Sequence, residues 1–119
     1  MSVTREMAYQ LANEWIAAWN AHDLDRILEH YDEDVELTSP VAAQLGEPNG
    51  LVAGKVRLRA YFQRGLDAFP ELHFDLEDVL WGLHSVVLYY RNHKGRRTAE
   101  YIEVSAGGRV RRVVANYSD

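Results

Sequence analysis

The sequence predicts an α+β domain with three helices in its N-terminal half and a mostly antiparallel sheet after them. Three observations carry this. Apolar side chains recur at helical spacing along the chain up to Pro70. Pro70 then ends the last helical stretch, because proline has no N–H to donate to the next helical hydrogen bond. Beyond it come four runs rich in β-branched and aromatic residues, punctuated by Gly82, Gly95 and the pair Gly107 and Gly108. A chain of 119 residues builds one such domain, 1–119, since each of two would be too short to bury a core.

The elements follow in order. From Thr4 to Trp19, the residues Met7, Leu11, Trp15 and Trp19 fall every fourth position with Ala8, Ala12 and Ala18 beside them, giving a first helix one apolar face. Asp23 can cap a second helix by accepting a free backbone N–H. Its Leu24, Ile27, Leu28 and Tyr31 share a face until the acidic run Asp32, Glu33, Asp34 ends it. Val35, Leu37 and Ser39 alternate with Glu36 and Thr38, as in a short strand that Pro40 closes.

Between Pro40 and Gly54 the density of glycine, proline and asparagine fits either a long loop or a short edge strand at a pocket mouth. Leu58, Tyr61, Phe62, Leu66 and Phe69 mark the third helix. Leu72–Trp81, Ser85–Asn92, Thr98–Ser105 and Val110–Tyr117 read as four strands in series, an antiparallel meander. Apolar side chains stand at both parities, as from Val86 to Tyr90, so both faces of the sheet are expected to be covered. Helices cover one face; the other requires a second subunit or a further sheet.

Composition narrows the function classes. With 13 Lys and Arg against 18 Asp and Glu, the formal charge of -5 argues against a phosphate-backbone partner, and no nucleic acid is expected. The basic residues Lys94, Arg96 and Arg97, and Arg109, Arg111 and Arg112, sit beside turn glycines and read as solvated hairpin ends. The absence of cysteine excludes disulfides, thiolate metal sites and cysteine nucleophiles. Neither a signal-like apolar stretch nor a membrane-spanning run is found, so a cytoplasmic protein without membrane partners is expected. The five histidines have no metal-ligand spacing, and only His73 and Asp75 pair on one strand face, so no metal or other cofactor is expected.

The order helix, turn, helix, strand, loop, helix and four strands resembles the nuclear transport factor 2-like superfamily over nearly the whole chain. Local features strengthen the likeness: Trp19 to Leu24 joining the first helices, Tyr31 before an acidic cluster, Gly54 ahead of a helix holding Tyr61 and Phe62, and Gly108, Arg109, Val110 leading the last strand. The chain is most similar to the SnoaL-like and ketosteroid isomerase-like branches. That resemblance implies a cone-shaped fold, in which a strongly curved sheet wraps around an apolar pocket, and a homodimer formed through the sheet. Activities in the superfamily include isomerisation, cyclisation, dehydration and epoxide hydrolysis, while some relatives only bind other molecules.

The same resemblance nominates site residues. Ser39 stands where ketosteroid isomerases carry a carboxylate base, and Trp15 where they carry a tyrosine, which disfavours steroid isomerisation by that mechanism. Ala115 stands where cyclases and epoxide hydrolases carry an aspartate, with Asn116 there if the register slips by one. Glu103 falls at the position of a second, protonated acid and is the candidate catalytic residue, with Arg91 or a tyrosine beside it. Against this stands a surface reading, in which Glu103 forms an ion pair with a neighbouring arginine such as Arg91, or lies on the outer face of its strand. The resemblance also directs Trp15, Trp19, Tyr31, Phe62, Tyr89, Tyr101 and Tyr117 toward the pocket, with Val113 lining it on the last strand, whereas as plain packed core these aromatics need no ligand.

Two functions follow. The first is a pocket protein for a small apolar or amphiphilic organic molecule, with acid–base chemistry of the isomerase, cyclase or hydrolase kind. The second is a non-catalytic binding or dimerisation module, which the missing bases favour. A regulatory domain ordinarily fused to others is a weaker third, since neither terminus reads as a linker.

Overall fold

Thr4 accepts a hydrogen bond from the Met7 N–H and opens α1 (Arg5–Asn20), whose residues Ala8, Ala12, Trp15, Ala18 and Trp19 are buried at the predicted spacing. The computed structural model describes residues 2–118. Asp23 caps α2 (Leu24–Leu28) through the Arg26 N–H, as its position suggests. The helix stops there instead of continuing to Tyr31. Tyr31 begins β1 (Tyr31–Thr38), fully buried at 1% exposure, and its hydroxyl accepts a hydrogen bond from Trp15 Nε1 at 2.9 Å. The buried hydroxyl partner therefore places Tyr31 with the sheet, against its helical spacing to Ile27 and Leu28.

The segment after Ser39 is neither a plain loop nor only an edge strand. Ser39 Oγ accepts from the Val41 N–H and Pro40 supplies the first residue of α3 (Pro40–Gln44), a position where its missing N–H costs nothing. A short 3-10 turn, Pro48–Gly50, then leads to β2 (Leu51–Ala53). Gly50 is required at this corner: its φ is 66°, and a Cβ there would lie 2.6 Å from the Ser39 carbonyl oxygen. With α4 (Lys55–Ala68), the described residues form four α-helices where the spacing predicts three.

The C-terminal meander is found as β3 (Asp75–Trp81), β4 (Ser85–Arg91), β5 (Arg97–Val104) and β6 (Val110–Tyr117). Leu72 to Phe74 lie outside β3 because side chains occupy their backbone groups. Asn20 donates to the Phe74 carbonyl and accepts from its N–H, and His22 Nε2 lies 2.8 Å from the Leu72 carbonyl. The helix corner thus ties this segment down and turns Phe74 inward.

All six strands form one open sheet in the order β2-β1-β6-β5-β4-β3, antiparallel except for the parallel pairing of β1 with β6. Its inner face carries Val86, Leu88 and Tyr90 on β4, Thr98, Glu100 and Ile102 on β5, and Val113 and Ala115 on β6, all buried. These side chains and the buried helix faces enclose the core. The outer face is different. Register aligns Leu80, Val87, Tyr101, Val114, Thr38 and Leu51 in one row across all six strands. None of these side chains joins the buried core, and Leu80 is 53% exposed. No helix of the described residues is long and apolar enough to cross a membrane.

Candidate functional site

The inner face does not pack shut. Between the sheet, α1, α3 and α4 lies a cavity of about 570 Å³, within the range of small-molecule sites. Its deep wall is apolar and aromatic: Trp15, Trp19, Tyr31, Phe62, Phe74 and Tyr90 are packed ring against ring, with Trp15 stacked on Phe74 at 5.7 Å and Phe74 4.6 Å from Tyr90. Aromatic rings in such a cage hold each other's rotamers and leave the cavity open.

One ionisable carboxyl reaches this wall. Glu100 sits mid-strand on β5, facing Leu88 of β4 on one side and Ala115 of β6 on the other. Alanine leaves the space that a larger residue on β6 would fill. The Tyr90 hydroxyl donates to Glu100 Oε1 at 2.9 Å and is the one hydrogen-bond partner of this carboxyl among the described residues. Burial, which disfavours the charged form, pushes Glu100 up to about 7, with the Tyr90 hydrogen bond opposing. Burial also raises Tyr90 and Tyr117 above the ordinary phenol range, and the charge of Glu100 adds to both effects. The wall thus carries neutral phenols at neutral pH and one carboxyl that burial holds well above the ordinary carboxylate range.

Ser39, at the end of β1, lies 3.5 Å from the Tyr117 hydroxyl and accepts from the Val41 N–H. Its oxygen is committed to capping α3. No histidine is among its hydrogen-bond partners, so nothing in the described residues activates it as a nucleophile. No cluster of three His, Asp or Glu side chains able to hold a metal ion occurs among the described residues.

The structure brings together Trp15, Trp19, Tyr31, Ser39, Phe62, Ala115 and Tyr117 around the cavity. Four other nominated residues are corrected, because β4 and β5 take the opposite parity there. Tyr89 and Arg91 alternate with the buried Leu88 and Tyr90, and Tyr101 and Glu103 with the buried Glu100 and Ile102, so all four lie on the outer face. Arg91 engages Glu77. Glu103 accepts from Arg111 at 2.9 Å, Arg112 at 3.1 Å and Tyr101 at 3.2 Å. Slight burial acts to raise its pKa, but these hydrogen bonds outweigh it and hold the carboxyl below the usual range. Glu103 is an outer-face ion-pair residue, but its partners are Arg111 and Arg112 and not Arg91. Val113 is buried in the core and does not reach the cavity.

Glu100 was within reach of the sequence. Ile102, an apolar residue two positions on, shares its face, and period-two alternation carries that face back to Glu100 and Thr98.

Comparison with known proteins agrees with this geometry. The SnoaL-like domain family matches residues 12–118. The chain belongs to that family. This SnoaL-like protein is similar over 100% of both chains to a SnoaL-like protein of unknown function from Burkholderia thailandensis, at 41% identity and a TM-score of 0.96. It also resembles a candidate isomerase of the SnoaL-like family from Agrobacterium tumefaciens, at 17% identity and a TM-score of 0.77 over 96% of this chain and 99% of that one. A candidate hydroxylase from Streptomyces galilaeus has 20% identity and a TM-score of 0.76 over 97% and 91%. Those two likenesses concern the fold alone. No curated protein matches the chain.

Proposed function

We propose that this SnoaL-like protein binds a small, largely apolar organic molecule in the cavity and moves a proton on it with Glu100. The observation that carries the reading is a buried carboxyl on the wall of an aromatic cavity, held to about 7 and anchored through one oxygen to Tyr90. A carboxyl raised toward neutral pH can both take a proton and return it, which suits proton shuttling beside a carbonyl or at a double bond. Tyr90 fixes the orientation of the carboxyl, leaving Oε2 without a donor among the described residues. With an apolar guest seated against the rings, the proton would pass between Glu100 and the guest.

The test is deuterium exchange at acidic carbon positions of a panel of small cyclic ketones in heavy water, followed by NMR. The expected result is catalysed exchange of at least one compound, rising with pH around a midpoint of about 7. No catalysed exchange of any compound that measurably binds would favour the second reading, a binding module without catalysis.

The second reading draws on the outer face, which we propose is the homodimer interface. The row from Leu80 to Leu51 crosses every strand, and it is flanked by the charged cluster of Glu103, Arg111 and Arg112. An apolar centre with a charged rim is the usual composition of a protein interface. Light scattering at micromolar concentration is expected to give the mass of a dimer, and Val87→Asp to give that of a folded monomer. A wild-type monomer would remove the interface.

A further inference from the structure

The cavity mouth has its own chemistry. The cavity's exposed lining residues include Arg64 from α4 and Lys94 from the turn between β4 and β5, with the half-buried Arg96 beside them. Lys94 Nζ stands 5.1 Å over the Phe69 ring, and the Arg96 guanidinium 4.7 Å over the Tyr117 ring while donating to the Ser118 carbonyl. Burial raises the Tyr61 and Tyr117 phenols, and the charges of Arg64 and Arg96 respectively oppose that rise slightly, which places both arginines near cavity phenols.

These three cations have no carboxylate within 4 Å among the described residues; Arg5, Arg26, Arg97 and Arg109 share that, but only Arg64, Lys94 and Arg96 line the cavity, while Lys55, Arg57, Arg59, Arg91, Arg111 and Arg112 are paired. Two carboxylates near the mouth have other partners: Glu47 holds Arg57 at 2.7 Å, and Glu71 lies 3.5 Å from His93, which lines the cavity. Among the described residues the only carboxyl on the cavity lining is Glu100, itself buried. In a chain of formal charge -5, three cations gathered around one mouth, with no carboxylate partner among the described residues, set a local positive charge against the net negative one.

We infer that the guest is an amphipathic organic acid, whose apolar ring or chain fills the aromatic wall while its carboxylate is held at the mouth by Arg64, Lys94 and Arg96. A carboxylate at the mouth completes the missing ion pairs there, and the opposite orientation would set it against Glu100. The basic turn at Lys94 and Arg96 is then part of a ligand site and not only a solvated hairpin end. This rests on the reading of the cavity as a ligand site, and the experiment separates the two.

The probes are naphthylacetate and its neutral counterpart naphthylacetamide, titrated calorimetrically into wild-type protein and into the double variant Arg64→Gln, Lys94→Gln. The acid is expected to bind about tenfold more tightly than the amide. The double variant should lose most of that preference, with little change for the amide. Equal binding of acid and amide, or equal weakening of both in the double variant, would overturn the inference and leave the cavity reading standing. Failure of both probes to bind wild-type protein would remove the cavity reading and the inference with it.

Discussion

Replacing Glu100 with Gln is expected to lower catalysed proton exchange by about 10²–10⁴-fold, the usual contribution of a positioned acid–base group. The amide is nearly the same size and can still pair with the Tyr90 hydroxyl, so binding of a guest should change little. The same variant carries a stability signature. In the folded chain Glu100 is held to about 7, against an ordinary value of 4.5. Between those two values the folded state holds a proton that the unfolded state has released. Wild-type stability therefore falls as pH rises from about 4.5 to about 7, and this fall is complete above the folded value. Gln has no proton to lose. Relative to wild type, Glu100→Gln should gain stability over that window, by on the order of 3 kcal/mol at pH 8 compared with pH 4. Urea unfolding of both proteins at the two pH values reads this directly, and parallel pH dependences would count against a buried carboxyl.

Trp15→Ala should produce the largest loss of stability, about 3–5 kcal/mol from the cavity it leaves. Trp15 is only 3% exposed and lies within 6 Å of the Trp19, Phe74 and Tyr90 rings. It also donates to the buried Tyr31 hydroxyl, which the variant would strand without that donor. Small domains carry about 5–15 kcal/mol in total, so the variant would be marginal at room temperature. Trp15→Phe keeps most of the ring and removes the N–H, and is expected to cost about 1–3 kcal/mol. Urea midpoints rank the two. If both variants lose the same amount, the hydrogen bond to Tyr31 outweighs the ring packing.

Much of this fold is legible where one physical signal acts alone. The four-residue recurrence of Met7, Leu11, Trp15 and Trp19 specifies α1, and the Gly107–Gly108 turn followed by Val110 specifies β6 with the same limits in sequence and structure. The misread elements are those where two signals compete. Tyr31 fits the spacing of α2, but its hydroxyl belongs with Trp15 across the core. Ser39 and Pro40 end a strand and at the same time begin α3, and only the first role was read from them. Leu72 to Phe74 have strand composition, yet Asn20 and His22 take their backbone groups.

The site divides along the same line. The aromatic wall on α1, β1 and α4 follows from helical periodicity and family resemblance, and Trp15, Trp19, Tyr31 and Phe62 all reach the cavity. The carboxyl depends on the parity of β5. There Tyr101 and Glu103 mimic an inward-facing pair; alternation back from Ile102 points instead to Glu100, and the register with Leu88 and Ala115 decides between the two parities. The positive mouth lies further still from the sequence, because Arg64 and Lys94 are thirty positions apart and meet only around the cavity.

The most direct test of a proton-transfer group facing the cavity is the titration of Glu100 itself. Carbon-13 NMR of the glutamate side-chain carboxyls, with the Glu100→Gln variant to assign the signal, should show one carboxyl titrating with a midpoint of about 7. A Glu100 midpoint near the ordinary 4.5 would mean a solvated carboxylate, and would contradict the account of this cavity as a site of acid–base chemistry.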